Sequence, residues 1–190
     1  MTGLLVAFEG PDGVGKSTLA CAVFDLLQPM RPRRVDVVLT SEPHNKPWIK
    51  DLRKEGAATL EAYEADRRKH WRSLVCDALM MGSVVLTDRY FLSTAVYQVE
   101  RGIWTWEAIL TRQRRQFAEP DLWVMCQSRD AAARLASREP PEEYSAEIER
   151  RYGVARHALG DRAIVVDCGD STSLEHNASR VAWEIIKRQR

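Results

Sequence analysis

The run Gly10-Pro11-Asp12-Gly13-Val14-Gly15-Lys16-Ser17 fits the spacing G-x-x-x-x-G-K-[ST] and follows the apolar stretch "LLVAFE". A glycine-rich turn between a strand and a helix points backbone N–H groups at one spot, and the helix N-terminus favours negative charge there. Phosphate is the ligand such a loop suits. The N–H groups of Gly13 to Ser17 would surround one phosphate, Lys16 would reach the next, and the Ser17 hydroxyl would ligate Mg²⁺. Gly10, Val14 and Thr18 complete the loop. Asp12 does not fit that picture, because a carboxylate repels polyphosphate unless it faces a different ligand. The plain alternative is a chance glycine-rich turn, and the flanking strand and amphipathic helix argue against it.

A second acidic element closes a later apolar run: "VVLTDRY", with Asp88, Arg89 and Tyr90. In a parallel sheet this strand end opens on the same edge as the phosphate loop. Asp88 there can hold a Mg²⁺-bound water, and Arg89 can bridge donor and acceptor phosphates. A surface Asp–Arg pair at a strand end is the alternative.

The elements that must position these groups are legible from apolar runs. Leu4–Phe8, Val35–Leu39, Val84–Leu86, Leu122–Met125 and Ala163–Val166 are continuous rather than alternating, as expected of parallel strands covered on both faces. Helical patterns lie between them. Ser17–Leu27 carries one apolar stripe, and Ala57–Met80 reads as one long helix. Thr105 can cap a helix running to Phe117, and Ser173 one running through Ile186. Alternating strands and helices imply α/β architecture with right-handed crossovers. The expectation is one three-layer α/β/α domain over residues 1–190, built on a five-stranded parallel sheet. The polar stretch "REPPEEYSAEIERRY" breaks at Pro140-Pro141, and residues 134–152 read as a solvated hairpin or a mobile lid.

Bulk properties set limits. The chain of 190 residues has a net charge of +1, so no overall field recruits nucleic acid or an anionic membrane. Cys21, Cys76, Cys126 and Cys168 form no C-x-x-C pair, which points to buried free thiols in a reducing compartment. With no basic leader and no long apolar run, a cytoplasmic protein is expected.

Several stretches together resemble the thymidylate kinase family, the phosphate-loop nucleoside monophosphate kinases. "FEGPDGVGKST" resembles the family's loop, which carries an acid at the position of Asp12. "YEADR" at Tyr63–Arg67 is similar to its aromatic-x-A-x-R element, and "DRYFLSTAVYQ" at Asp88–Gln98 to its D-R-[YH]…S…AYQ segment. "PDLWVMCQS" is similar to its fourth strand, and "VVDCGDSTSLE" to the strand and loop that hold adenine. The resemblance implies ATP as phosphate donor with Mg²⁺, a small pyrimidine deoxynucleoside monophosphate (dTMP or a modified analogue) as acceptor, and a homodimer. It also implies that Asp12 faces the acceptor sugar and accepts from its 3′-hydroxyl.

Tyr63 and Arg67, four apart on one helix, would then stack on the base and donate to its carbonyl. Tyr97 would form a second wall, with Ser93 and Thr94 at the base edge or simply starting a helix. The loop's variable positions hold no Arg, and in the family such members supply the catalytic charge from the lid. Arg134 and Arg138, four apart, are the candidates, with Arg150 and Arg151 behind them.

The chain departs from the pattern in three places. Thr40-Ser41-Glu42-Pro43-His44-Asn45 stands where the family often has T-R-E-P-G-G, so Arg53 in "KDLRK" is left to meet the acceptor phosphate. The lid lacks D-R-x-E. Finally, "EPHNKPW" is similar to a stretch of deoxynucleoside kinases in which the Glu takes a proton from a 5′-hydroxyl. Glu42 therefore keeps a nucleoside acceptor open as a second reading. A nucleotide-dependent switch is a third, although N-K-x-D, which reads guanine in such proteins, does not occur.

Overall fold

A computed structural model describes residues 3–29, 36–99, 105–138, 145–169 and 174–189. Five parallel strands form one sheet in the order β2-β3-β1-β4-β5: β1 (Leu4–Glu9), β2 (Val37–Ser41), β3 (Val84–Asp88), β4 (Leu122–Gln127) and β5 (Ala163–Asp167). All five expected strands are present. β1 is central, with Leu5 opposite Val85 of β3 and Phe8 opposite Val124 of β4.

The strands read as continuous apolar runs because alternate residues feed opposite faces. Val6 and Phe8 of β1 join Val84, Leu86, Leu122 and Val124 under α1 (Lys16–Leu27) and the C-terminal helix Leu174–Arg188. Leu5, Ala7, Val85, Trp123 and Met125 form the other core, under helices including Phe91–Gln98 and Ala146–Leu159. The result is the three-layer α/β/α arrangement that the sequence implies.

The remaining helices are α2 (Lys46–Lys54), α3 (Leu60–His70), α4 (Cys76–Met80), α5 (Phe91–Gln98), α6 (Trp106–Gln116), α7 (Ala131–Ala136), α8 (Ala146–Leu159) and α9 (Leu174–Arg188). Side chains set several of their starts. Thr105 caps α6 by accepting from Ala108 N at 3.2 Å, as expected. Ser145 does the same for α8 at Ile148 N, 3.3 Å.

The expected helix Ala57–Met80 is corrected in two ways. Thr59 Oγ1 accepts from Ala62 N, so the helix begins at Leu60. It is then interrupted by a π turn over Trp71–Val75, whose extra residue rephases the buried face from Arg67 and His70 to Val75 and Ala78. α2 has no counterpart in the sequence reading. Asn45 starts it, its Oδ1 accepting from Trp48 N at 3.2 Å. Of the thiols expected to be buried, only Cys126 is; Cys21 is exposed and Cys76 and Cys168 are half-buried. Val35, Ser173 and Pro140-Pro141 lie outside the described residues, as does residue 170 in the loop after β5. Among the described residues no helix is long and apolar enough to cross a membrane.

Candidate active site

Two cavities open at the C-terminal edge of the sheet, on either side of the loop between β1 and α1. The first, about 420 Å³, is lined by Gly13, Gly15, Lys16, Ser17, Thr18, Arg134, Arg138 and Cys168. The loop turns sharply at Gly13 (φ 77°) and Gly15 (φ 99°), a left-handed backbone that glycine adopts without strain. Gly10 is fixed by crowding: a Cβ there would stand 2.2 Å from the Cys126 carbonyl oxygen. Val14 is buried in the core beneath the loop.

Lys16 is buried and donates to the Pro11 carbonyl at 2.5 Å. Burial and the Arg89 charge push its ammonium down to about 8, against the pull of Asp12 and Asp88. Ser17 Oγ donates to Asp88 Oδ2 from the end of β3. The other oxygen, Asp88 Oδ1, is buried with no hydrogen-bond partner among the described residues.

The second cavity is larger, about 710 Å³, and three arginines, Arg53, Arg67 and Arg89, line it with Asp12, Glu42, Tyr63, Ser93, Thr94 and Tyr97. Asp12 thus turns its side chain away from the Lys16 cavity. Its carboxylate accepts from Arg89 Nη2 and from the Tyr97 hydroxyl, the latter at 2.7 Å. Burial works to raise this carboxyl, but the charges of Arg89 and Lys16 outweigh it and hold it below the ordinary value.

Arg89 occupies a left-handed backbone position (φ 70°), its N–H on the Phe8 carbonyl at 2.9 Å and its own carbonyl held by Thr87 Oγ1 at 2.7 Å. Its guanidinium stacks over Tyr97 at 5.3 Å.

Arg67 is deeper. Nε donates to Glu42 Oε2 at 2.7 Å, Nη1 to Gln113 at 2.6 Å and Nη2 to Thr94 at 2.8 Å. The rings of Tyr90 and Phe117 flank the guanidinium at 5.3 and 5.2 Å. Glu42 is itself buried and faces both Arg67 and His70. Burial alone would raise its carboxyl, yet the Arg67 charge and the His70 contact pull it below the usual range.

Tyr63 and Arg67 share a cavity, as expected, but they are not equivalent. Tyr63 stands on the wall, its hydroxyl accepting from Arg53 Nε at 2.8 Å, and Arg53 also lies over its ring at 5.7 Å. Ser93 lines the cavity too, with its hydroxyl held between Glu9 and Arg89.

The lid candidates need a correction. Arg134 and Arg138 do not share a helix, because α7 ends at Ala136. Arg134 donates to the Gly13, Cys168 and Gly169 carbonyls at 3.4, 3.0 and 2.8 Å, bracing the loop after β5 against the phosphate loop. Arg150 pairs with Glu147 at 2.7 Å on the surface, and Arg151 reaches the Val96 carbonyl at 2.9 Å.

The sequence reading missed Glu9, Gln113, His70 and Tyr152. Glu9 sits inside the quoted "FEG" and is fully buried, which its position at the end of an apolar strand could have flagged. Gln113 and Tyr152 carry no local signal.

The thymidylate kinase family model matches residues 8–177. The chain belongs to the thymidylate kinase family. It is 43% identical over 108 residues to a thymidylate kinase of Xanthomonas campestris, a match covering 53% of this chain and 46% of that one. It is 39% identical over 134 residues to one of Desulfotalea psychrophila, covering 66% and 63%. The chain thus spans about half to two thirds of the length of these curated relatives. The crystal structure of a thymidylate kinase from Ehrlichia chaffeensis superposes with a TM-score of 0.72 at 22% identity, covering 99% of this chain and 98% of that one, and so shares the fold.

Proposed function

We propose that the protein is an ATP-dependent nucleoside monophosphate kinase that phosphorylates a pyrimidine deoxynucleoside monophosphate, dTMP or a close analogue. The observation that carries this is the pairing of cavities across one loop: a lysine-and-backbone cradle on one side and an arginine-lined chamber on the other. The cradle takes the ATP phosphates, and the chamber takes an anionic acceptor. Asp12, turned into the chamber between Arg89 and Tyr97, accepts from the acceptor's sugar hydroxyl. Arg53 and Arg89 hold the acceptor phosphate, while Tyr63 and Arg67 receive the base.

Phosphoryl transfer asks chiefly for alignment and charge neutralisation. An acceptor phosphate oxygen attacks the γ-phosphorus, the bond to the β–γ bridging oxygen breaks, and ADP leaves. Lys16 neutralises β/γ charge, and Arg138 on the cradle rim adds a second cation while Arg134 holds the loop in shape. Ser17 and Asp88 fit a Mg²⁺ site, since Asp88 keeps a buried oxygen with no hydrogen-bond partner among the described residues. Mg²⁺ held by Ser17 and Asp88 would offset the negative charge of the donor phosphates. A cytoplasmic homodimer completes the reading, and it rests on the family.

The nucleoside-acceptor reading needs Glu42 as a free base. Its ion pair with Arg67 at 2.6 Å and its depressed carboxyl weigh against that role. ADP release measured against a panel of nucleosides and monophosphates tests the assignment. Turnover stimulated by dTMP and not by thymidine is expected; the reverse order, or ATP hydrolysis indifferent to any acceptor, refutes it.

A further inference from the structure

We infer that Glu9 is a positioning residue for the acceptor, acting through the hydroxyls of Ser93 and Tyr152 to fix the Arg89 guanidinium. This rests on the assignment of Arg89 to the acceptor phosphate. Glu9 is the last residue of β1, directly before the phosphate loop, and it is fully buried.

Its two oxygens face different partners. Oε1 accepts from the backbone N–H of Tyr90 at 2.8 Å and of Ser93 at 3.0 Å, capping α5 in place of the Tyr90 side chain. Oε2 accepts from Ser93 Oγ at 2.6 Å and from the Tyr152 hydroxyl at 3.0 Å, the latter arriving from α8. Both hydroxyls also touch Arg89 Nη1, at 2.9 and 3.4 Å.

Proton accounting gives the carboxylate its role. Arg89 is donor only, so Ser93 and Tyr152 must each offer it a lone pair. They can do so when their own protons point elsewhere. The two hydroxyls lie 2.9 Å apart, so one can donate to the other but not both, and Glu9 Oε2 must accept at least one of the two protons. A carboxylate at Glu9 thereby orients two hydroxyls, and these orient the guanidinium that also holds Asp12. One buried acid thus links the phosphate loop, the α5 N-terminus, α8 and the acceptor arginine.

Glu9→Gln separates this role from simple capping. Its amide oxygen still caps α5, but its amide nitrogen donates where Oε2 accepted and turns the hydroxyl protons toward Arg89. The expected result is a folded protein with ATP affinity within about twofold of wild type. Its dTMP dissociation constant rises at least about tenfold, as for a hydrogen bond to a charged group. Tyr152→Phe should weaken dTMP binding about threefold, and adding it to Glu9→Gln should cost nothing further, because both act through one network.

Unchanged dTMP binding in Glu9→Gln, or equal weakening of ATP and dTMP, overturns the inference. If Glu9→Gln does not fold, Tyr152→Phe decides: weaker dTMP binding with ATP unchanged supports it, and no change overturns it. Wild-type protein that binds no nucleoside monophosphate instead refutes the functional assignment, and the role of Glu9 falls with it.

Discussion

The two cavities differ in how the chain builds them. The Lys16 cavity is the more local of the two: one stretch between Gly13 and Thr18 lines one side of it, and Arg134, Arg138, Cys168, Leu174 and Asn177 line the rest. The arginine-lined chamber draws Asp12 from the phosphate loop, Glu42 from the end of β2, Arg53 from α2, Tyr63 and Arg67 from α3, and Arg89, Thr94 and Tyr97 from β3 and α5. Its charged groups are already bonded to each other, Arg67 to Glu42 and Arg89 to Asp12. A phosphate cradle needs N–H groups aimed at one point, which a short turn supplies. A chamber whose side chains converge from several directions depends on the whole fold.

That contrast can be broken at the chamber first. Arg67→Ala would leave Glu42 buried with most of its charge compensation gone, since both side chains are about 95% buried. A loss of about 3–5 kcal/mol is expected, or a melting point lower by roughly 10 °C. Calorimetry showing a wild-type melting point would mean the pair is not structurally coupled. On the cradle side, Lys16→Ala should leave the melting point nearly unchanged while kcat falls by about 10²–10³. A folded mutant with normal kcat removes the loop from the chemistry.

Asp12→Ala should fall between these in size. Acceptor kcat/KM is expected to drop by on the order of 10–100-fold with ATP affinity held, the worth of a hydrogen bond to a charged group. Steady-state kinetics that move KM for ATP alone would return Asp12 to the donor side.

Lys16 also predicts a pH dependence. Its ammonium is pushed to about 8, so the charge offered to the proposed donor phosphates is lost as pH rises through that value. The profile of kcat/KM for ATP should show an alkaline limb near 8, falling about tenfold per unit above it. The stability effect has the opposite sign. The unfolded chain keeps the ordinary value of 10.5 and binds more protons between 8 and 10.5, so this group's share of stability rises with pH in that window. A flat kcat/KM profile to pH 9.5 would show Lys16 still charged.

The smallest expected effect is Glu42→Gln, less than about tenfold in monophosphate turnover, because a phosphate oxygen needs no base. Turnover abolished in a folded Glu42→Gln variant, with thymidine preferred, would make the chamber a nucleoside site.

How much was legible follows from range. The α/β layering, all five strands and the phosphate loop could be read because each is written in consecutive residues: apolar runs, glycines at a fixed spacing, caps such as Thr105. That Asp88 opens on the same sheet edge as the phosphate loop followed from knowing that parallel strands end on one edge; its bond to Ser17 came from the structure. What failed was of two kinds. Local starts overrode periodicity, as at Thr59 and Asn45, where a cap fixed the helix boundary and the apolar pattern did not. And partners far apart in the chain stayed hidden: nothing near Tyr152 points to Glu9, 143 residues away, nor near Gln113 to Arg67, 46 residues away.

The sequence alone therefore determined the glycine-rich turn between strand and helix, since backbone geometry over eight residues is sufficient for that. Only the tertiary structure decided which way Asp12 faces, that Arg67 and Glu42 neutralise one another, and that Arg134 braces a loop. Each of these turns on which charged group comes within about 3 Å of which other, and that distance is set by how helices from both faces meet at the sheet edge.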